Sequence, residues 1–253
     1  MAASKPNLFY IWNFFEKTGG YATRFSSFVD YWTFAANVVR KNDDYIVTQL
    51  HRNLNPKATF PYVNHAAFDG TSFAGFGQSK PTAEWMEVMK NGRGGPGTQL
   101  AYPGGYKEIE STTGKPLGPW LPKDDKTIFL VTAFKVDDEK DTKLQETFEK
   151  DWKESSGTNF ILKNAPKELG ISNCGLYKKF TERPGLLYVL RSELTGAGVD
   201  SEPAKTFLAQ LKEFKYPDYF ERVDTDLFKP DPGNIHFPES GKKDLPAGFA
   251  WKP

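Results

Sequence analysis

Residues Leu50–Gly70, LHRNLNPKATFPYVNHAAFDG, decide the fold. Two β-forming runs, DYIVTQLHR and TFPYVNHAAF, flank NLNPKA, whose Asn-Pro pair is turn chemistry, so the stretch predicts a hairpin. Upstream, LFYIWNFF (8–15) is apolar on both parities, the pattern of a strand covered on both faces. Between them Tyr21, Phe25, Phe28, Val29, Trp32, Ala35, Ala36 and Val39 recur at helical spacing, predicting an amphipathic helix over 21–40, about five turns. Downstream, TAEWMEVMKN reads as a helix with Trp85, Met86 and Met89 on one side, and GTQLAYPGGYKEIE as a glycine-interrupted strand. The order is β-α-β-β-α-β.

The same order returns after STTGKPLGPWLPKDDK, a stretch rich in Gly, Pro and Lys that marks a boundary. TIFLVTAF is a strand, DTKLQETFEKDWKE a helix, NCGLYKKF and GLLYVLRSEL a hairpin, PAKTFLAQLKEF a helix and YPDYFERVDTDLF the closing strand. Leu50, Tyr62, Val63 and Gly70 recur as Leu176, Tyr188, Val189 and Gly196 at a constant offset of 126 residues, and Phe14, Phe28 and Trp32 as Phe134, Phe148 and Trp152 at 120. Two blocks that each keep a fixed register predict a duplication. The expected fold is α+β: two tandem ferredoxin-like repeats packing sheet to sheet as an intramolecular α+β barrel, because helices cover only one face of each sheet. The units are residues 1–112, a linker at 113–126, residues 127–228, and a Pro/Gly-rich extension at 229–253 that wraps the surface with Phe237, Phe249 and Trp251 as anchors.

Composition narrows the function. With 253 residues, 38% apolar and 15% aromatic, the chain can bury one large core or two small ones. Thirty-three basic residues against thirty-two acidic ones leave no field for nucleic acid or an anionic membrane surface. The one cysteine, Cys174, excludes an internal disulfide and reads as a small buried hydrophobe. No run near ~20 apolar residues is present, and a cytoplasmic protein, monomer or homodimer, is expected. Carboxylate pairs at catalytic spacing, metal-ligand clusters, a P-loop and a dinucleotide fingerprint are missing. GRGGPG (92–97) precedes a strand rather than a helix, so it reads as a flap and not as a phosphate cradle.

IWNFFE followed by YWTFAANVVRKNDDYIVTQLHRNLNPKATFPYVNHAAF resembles the antibiotic biosynthesis monooxygenase group of the dimeric α+β barrel superfamily. That group shows a strand with Asn, a Trp-bearing helix, a T-x-L-H-R-x-L-x-P hairpin and an Asn-x-x-x-aromatic strand end. The resemblance covers residues 8–70 well and the rest of the first half weakly; the second half joins it only through the repeat. It implies small-molecule chemistry without a metal or organic cofactor, on a hydrophobic phenol, quinol or enol. A non-catalytic binding or structural barrel is the competing class, since one fold hosts many functions. Haem degradation is disfavoured because TAEWMEVMKN lacks the axial His of that branch.

Two amides carry the expectation. Asn13 sits mid-strand on the parity of Phe9, Ile11 and Phe15, and Asn64 shares its parity with Tyr62 and Phe68. Each is either a satisfied buried amide or a pocket group holding a substrate oxygen. In the second copy Asn13 corresponds to Ala133, Asn64 to Leu190 and Phe68 to Leu194, which favours one active pocket, in the N-terminal half. The strand end carries Phe68 where the family pattern has Trp. His65 falls on the opposite face by strict alternation, toward the sheet-sheet interface, unless a bulge returns it to the pocket as a base; its counterpart is Arg191. Tyr62 or His65 would handle the proton, and Phe68, Trp85, Met86 and Trp32 would wall the pocket, Trp32 also reading as core because it repeats. His51 reads as structural, and His236 as a tail side chain.

Overall fold

The computed structural model describes residues 7–16, 25–70, 82–92, 100–119, 121, 126–171, 173–182, 185–194, 199, 201–246, 249 and 251. In chain order the elements are β1 (Leu8–Glu16), α1 (Phe28–Val39), β2 (Tyr45–Asn53), β3 (Tyr62–Asp69), α2 (Ala83–Gly92) and β4 (Leu100–Ser111). There follow β5 (Ile128–Val136), α3 (Thr142–Lys150), α4 (Trp152–Ser155), α5 (Thr158–Asn164), β6 (Cys174–Lys179), β7 (Tyr188–Leu194), α6 (Glu202–Lys212) and β8 (Phe220–His236). All eight strands pair antiparallel into one closed barrel, β1-β3-β2-β8-β5-β7-β6-β4. The first four strands lie in the order β4-β1-β3-β2 and the last four in the order β8-β5-β7-β6. The two sets are joined edge to edge by the β2–β8 and β4–β6 ladders, so hydrogen bonds, beyond face-to-face packing, unite them and no edge is left open.

Closure gives each strand an inner and an outer face. Leu8, Tyr10, Trp12 and Phe14 point inward to a core with Val47, Val63, Tyr106, Phe129, Val131, Tyr177 and Val189. The outer faces meet the helices differently in the two halves. In the second half one continuous cluster, including Phe134, Phe148, Trp152, Tyr188, Leu190 and Phe207, fills that layer. In the first half the layer is two separate clusters, Phe15 with Phe28, Trp32, Ala36 and Leu50, and Phe9 with Tyr45, Ala66 and Phe68. On β1, Ile11 is partly buried and packs with Val39 against the second cluster, and Asn13 is also only partly buried.

Several expectations are corrected. Helix α1 starts at Phe28, not at residue 21, because the Ser27 hydroxyl accepts the Asp30 N–H as an N-cap, and Asp30 adds charge to the first turn; Tyr21–Arg24 lie outside the described residues. The single helix expected from Asp141 breaks at Asp151, whose φ of −120° and ψ of 27° are not helical. Residues 229–236 are not a surface extension: they finish β8 and close the barrel, pairing Lys229 with Arg52 and His236 with Thr48. Their prolines misled because the ladder is interrupted there. The chain bulges at 231–234, where Asp231 accepts from Gly233 N and Asn234 Nδ2. Beyond it Phe237, Phe249 and Trp251 do pack against the inner core cluster.

The offset of 120 fails in β1. Phe15 opposes Tyr62 as Phe134 opposes Tyr188, and Asn13 opposes Asn64 as Thr132 opposes Leu190. The counterpart of Asn13 is therefore Thr132, not Ala133, and the strand and helix do not align without a gap. The helix positions do match: Phe28 lies 4.5 Å from the Tyr62 ring and Phe148 4.5 Å from the Tyr188 ring.

Gly70 closes β3 where its N–H donates to the Asn7 carbonyl, and a Cβ there would overlap that same oxygen. Gly70→Ala is expected to lower unfolding free energy by about 1–3 kcal/mol, the cost of overpacking a tight contact. Chemical denaturation of the two proteins, at unchanged m-value, measures it.

Candidate functional site

The outer face of β1 and β3 under α1 brings the two amides together. Asn13 and Asn64 are direct partners across the β1–β3 ladder, a position that sets Cβ atoms about 4.5–5.5 Å apart on one face. Above them lies Trp32, 3% exposed, whose indole Nε1 donates to Asn64 Oδ1 at 2.9 Å. From β2 the Thr48 hydroxyl donates to the same oxygen at 2.7 Å. Because an indole N–H can only donate, it fixes which atom of the Asn64 amide is oxygen. That oxygen faces β2 and the helix, so the NH2 group is left on the β1 side, where it donates to no described residue. On that side Asn13 Oδ1 is buried without a hydrogen-bond partner among the described residues. The pair offers a free donor beside a free acceptor.

Helix α1 is held over this face by α2. The Tyr31 hydroxyl donates to the Val88 carbonyl at 3.2 Å, and burial pushes its pKa up to about 12, so it serves as a neutral strut. Lys41 pairs with Glu84 at the other end of the contact. Among the described side chains of α2 the buried one is Val88, whereas Met86 is 55% exposed; the expectation that Met86 walls a pocket is corrected, since its neighbour two residues on takes the inward position. Trp85 is half-buried, and the side chain of Met89 and the loop 93–97 lie outside the described residues. Phe68 is fully buried at the far end of β3, stacked on Phe9 at 5.0 Å and edge-on to Tyr45, so it supports the floor without touching the amides. Tyr62 shares the face with Asn64, half-buried against the Phe28 ring.

His65 does not join them. No bulge interrupts β3 at this point, and the ring points into the barrel, fully buried, 4.4 Å from Trp12 and stacked on Tyr10 at 5.2 Å. Its Nδ1 faces Arg191 Nη1 at 3.4 Å. Burial and then the Arg191 charge hold its pKa well below the ordinary imidazole value, and His51, with Nε2 3.3 Å from Gln49 Oε1, is depressed for the same reasons. His65 is an interior side chain and not the base of the amide site. The histidine that sequence reading set aside, His236, ends β8 edge-on to Trp32 at 5.2 Å, with burial followed by the Arg40 charge lowering its pKa. Only its strand pairing with Thr48 reveals it, and the Pro-rich run around it hid that strand.

Among the described residues no three His, Cys, Asp or Glu side chains are grouped to hold a metal ion, and no described helix is long and apolar enough to cross a membrane.

A family model described as a domain of unknown function, DUF7153, matches residues 45–216. No curated protein matches. Among solved structures, an anthrone oxidase-like protein superposes with a TM-score of 0.52 at 8% identity, over 98% of this chain and 99% of that one. A candidate monooxygenase from Fusobacterium nucleatum subsp. nucleatum gives 0.45 at 11% identity, over 99% and 100% of the two chains. A chlorite dismutase variant from Candidatus Nitrospira defluvii gives 0.42 at 10%, over 90% and 92%. At these identities the likeness is one of fold.

The two buried neutral histidines tie stability to pH. Each has a folded pKa below its unfolded value near ~6.5, so as pH falls the unfolded chain takes up protons that the folded chain refuses, and stability drops. Unfolding free energy is expected to decline from pH 7 to pH 5 by up to about 1.4 kcal/mol per pH unit for each histidine. His65→Gln should reduce the slope by about one proton, read from urea midpoints across that range.

Proposed function

The chain belongs to the DUF7153 family, and we propose that it is a small-molecule enzyme of the cofactor-independent monooxygenase type, acting on a flat hydrophobic phenol, quinol or enol. The observation that carries this reading is the polarity of the two amides. Asn64 offers an N–H and Asn13 a buried acceptor, as cross-strand partners flanked by two apolar clusters. A hydroxyl is the group that accepts from one and donates to the other at once. Trp32, Ile11 and the half-buried Tyr62 supply apolar surface around it. The anthrone oxidase-like protein shares the fold, and the two amides supply the chemical argument.

In this reading Asn64 holds the oxygen as it ionises, with its own oxygen locked by Trp32 and Thr48 so that the NH2 group is aimed before the ligand arrives. Ionised, the ring becomes electron-rich enough to reduce dioxygen itself, and the protein's work is to bind, orient and exclude water. We assign the passage of the proton to Tyr62, which shares the face of Asn64. The halves are ferredoxin-like repeats, and the second keeps the scaffold while its equivalent positions, Thr132 and Leu190, carry no amide. A purely binding barrel is the second reading, favoured by the placement of His65 on the wrong face to act as base.

Oxygen uptake with a panel of anthrones and hydroquinones tests this. Wild type is expected to consume oxygen with at least one of them, and Asn64→Leu to lower kcat/KM by about 100-fold, the usual effect of removing one oxyanion donor. Equal activity in the variant removes Asn64 from the mechanism. Binding without uptake moves the chain to the second reading.

A further inference from the structure

Asn13 lies toward one end of the outer face of β1. Four residues back along β1, on the same side of the strand, Phe9 borders a cavity of about 250 Å3 lined, among the described residues, by Asn7, Phe9, Gly70, Lys107 and Phe180. Strand rise puts Phe9 about 13 Å from Asn13, with the partly buried Ile11 between them. The walls are aromatic: Phe180 stands edge-on to Phe9 at 6.0 Å, and Phe9 is backed by the Phe68 ring. Among the described residues the one charge on this lining is the Lys107 ammonium, 5.8 Å from the centre of the Phe180 ring. Lys178, its partner across the β4–β6 ladder, is paired with Glu149, whereas Lys107 has no carboxylate within ion-pair distance among the described residues.

We propose that this cavity is the acid-binding end of the same ligand site, so that the preferred ligand is a flat, three-ring phenol bearing a carboxylate on the ring farthest from its hydroxyl. The inference rests on the amide reading above and adds to it a length and a charge. Hydroxyl and carboxylate at opposite ends of a linear three-ring system are separated by a distance comparable to the span of about 13 Å from Asn13 to Phe9, which lines the cavity with Lys107. An aromatic wall suits the terminal ring by stacking or edge contact. The Lys107 side chain is exposed, so its ammonium attracts a carboxylate with the modest, salt-sensitive strength of a surface ion pair.

The test compares two probes of one shape, 6-hydroxyanthraquinone-2-carboxylate and its neutral 2-carboxamide, by fluorescence or calorimetric titration of the full chain. Wild type is expected to bind the carboxylate about three- to fivefold more tightly at low ionic strength, the range of a partly exposed ion pair, with the preference shrinking as salt is added. Lys107→Met should bring the ratio to one and Lys107→Arg should keep it. A ratio of one in wild type, or a preference that survives in Lys107→Met, overturns the proposal. Asn64→Leu reports on the underlying site: it should weaken both probes by the same factor and leave their ratio intact. If it weakens neither while the Lys107 effect is present, the amide reading fails and the acid end stands as a separate site. If neither probe binds wild type, both are wrong.

Discussion

The ladder between β2 and β8 is the constraint on which the rest depends. With β4–β6 it turns two four-stranded sheets into a barrel with no edge. Once the sheet is closed, every strand has one side committed to the lumen and one to the helices, and a shift of one residue exchanges them. The neighbours Asn64 and His65 show the consequence. One accepts from Trp32 under a helix; the other is stacked on Tyr10 inside the barrel, against a guanidinium from the opposite wall. The lumen is lined with aromatic rings, with Arg191 4.0 Å over Phe129 and His51 stacked on that ring from 5.2 Å.

That layer differs between the halves for a reason that can be read in side-chain volume. Opposite each other on β5 and β7, Thr132 and Leu190 sit where the first half has Asn13 and Asn64. Leu190 joins a continuous core with Phe134, Trp152 and Tyr188, and the Thr132 hydroxyl is satisfied by Thr225 at 3.0 Å. The equivalent tryptophan turns away: Trp152 donates to Glu110, where Trp32 donates to Asn64. An amide in β3 therefore both opens the first layer and takes the indole hydrogen bond, while a leucine in β7 seals the second.

The hairpins were legible because their loops have equal length, so Tyr62 and Tyr188 or Leu50 and Leu176 fall into register under a single offset. His65 and Arg191, also 126 residues apart, even meet in the lumen. In β1 the same reasoning slipped by one residue. Phe14 and Phe15 are both aromatic, and a strand apolar on both parities carries no signal to say which one matches Phe134. The counterpart read for Asn13, Ala133, is thus one residue off, and Thr132 takes its place. The last part of β8 was invisible for a different reason: Pro230 and the bulge after it break the ladder, so composition announces a loop where hydrogen bonding resumes at Ile235 and His236.

The amide pair also constrains how a bound oxygen could ionise. A neutral hydroxyl satisfies both partners, but once its proton leaves it can only accept, and Asn13 Oδ1 then faces a negative charge. Asn64 cannot turn to compensate, since Trp32 and Thr48 hold its oxygen. Asn13 has no such restraint among the described residues, and a half-turn of its amide exchanges acceptor for donor at little cost. Two side chains of one residue type would then play different parts: Asn64 as a fixed donor, set by its neighbours, and Asn13 as the member that follows the charge of the ligand. The asymmetry comes from the helix, which supplies an indole to one amide and nothing to the other.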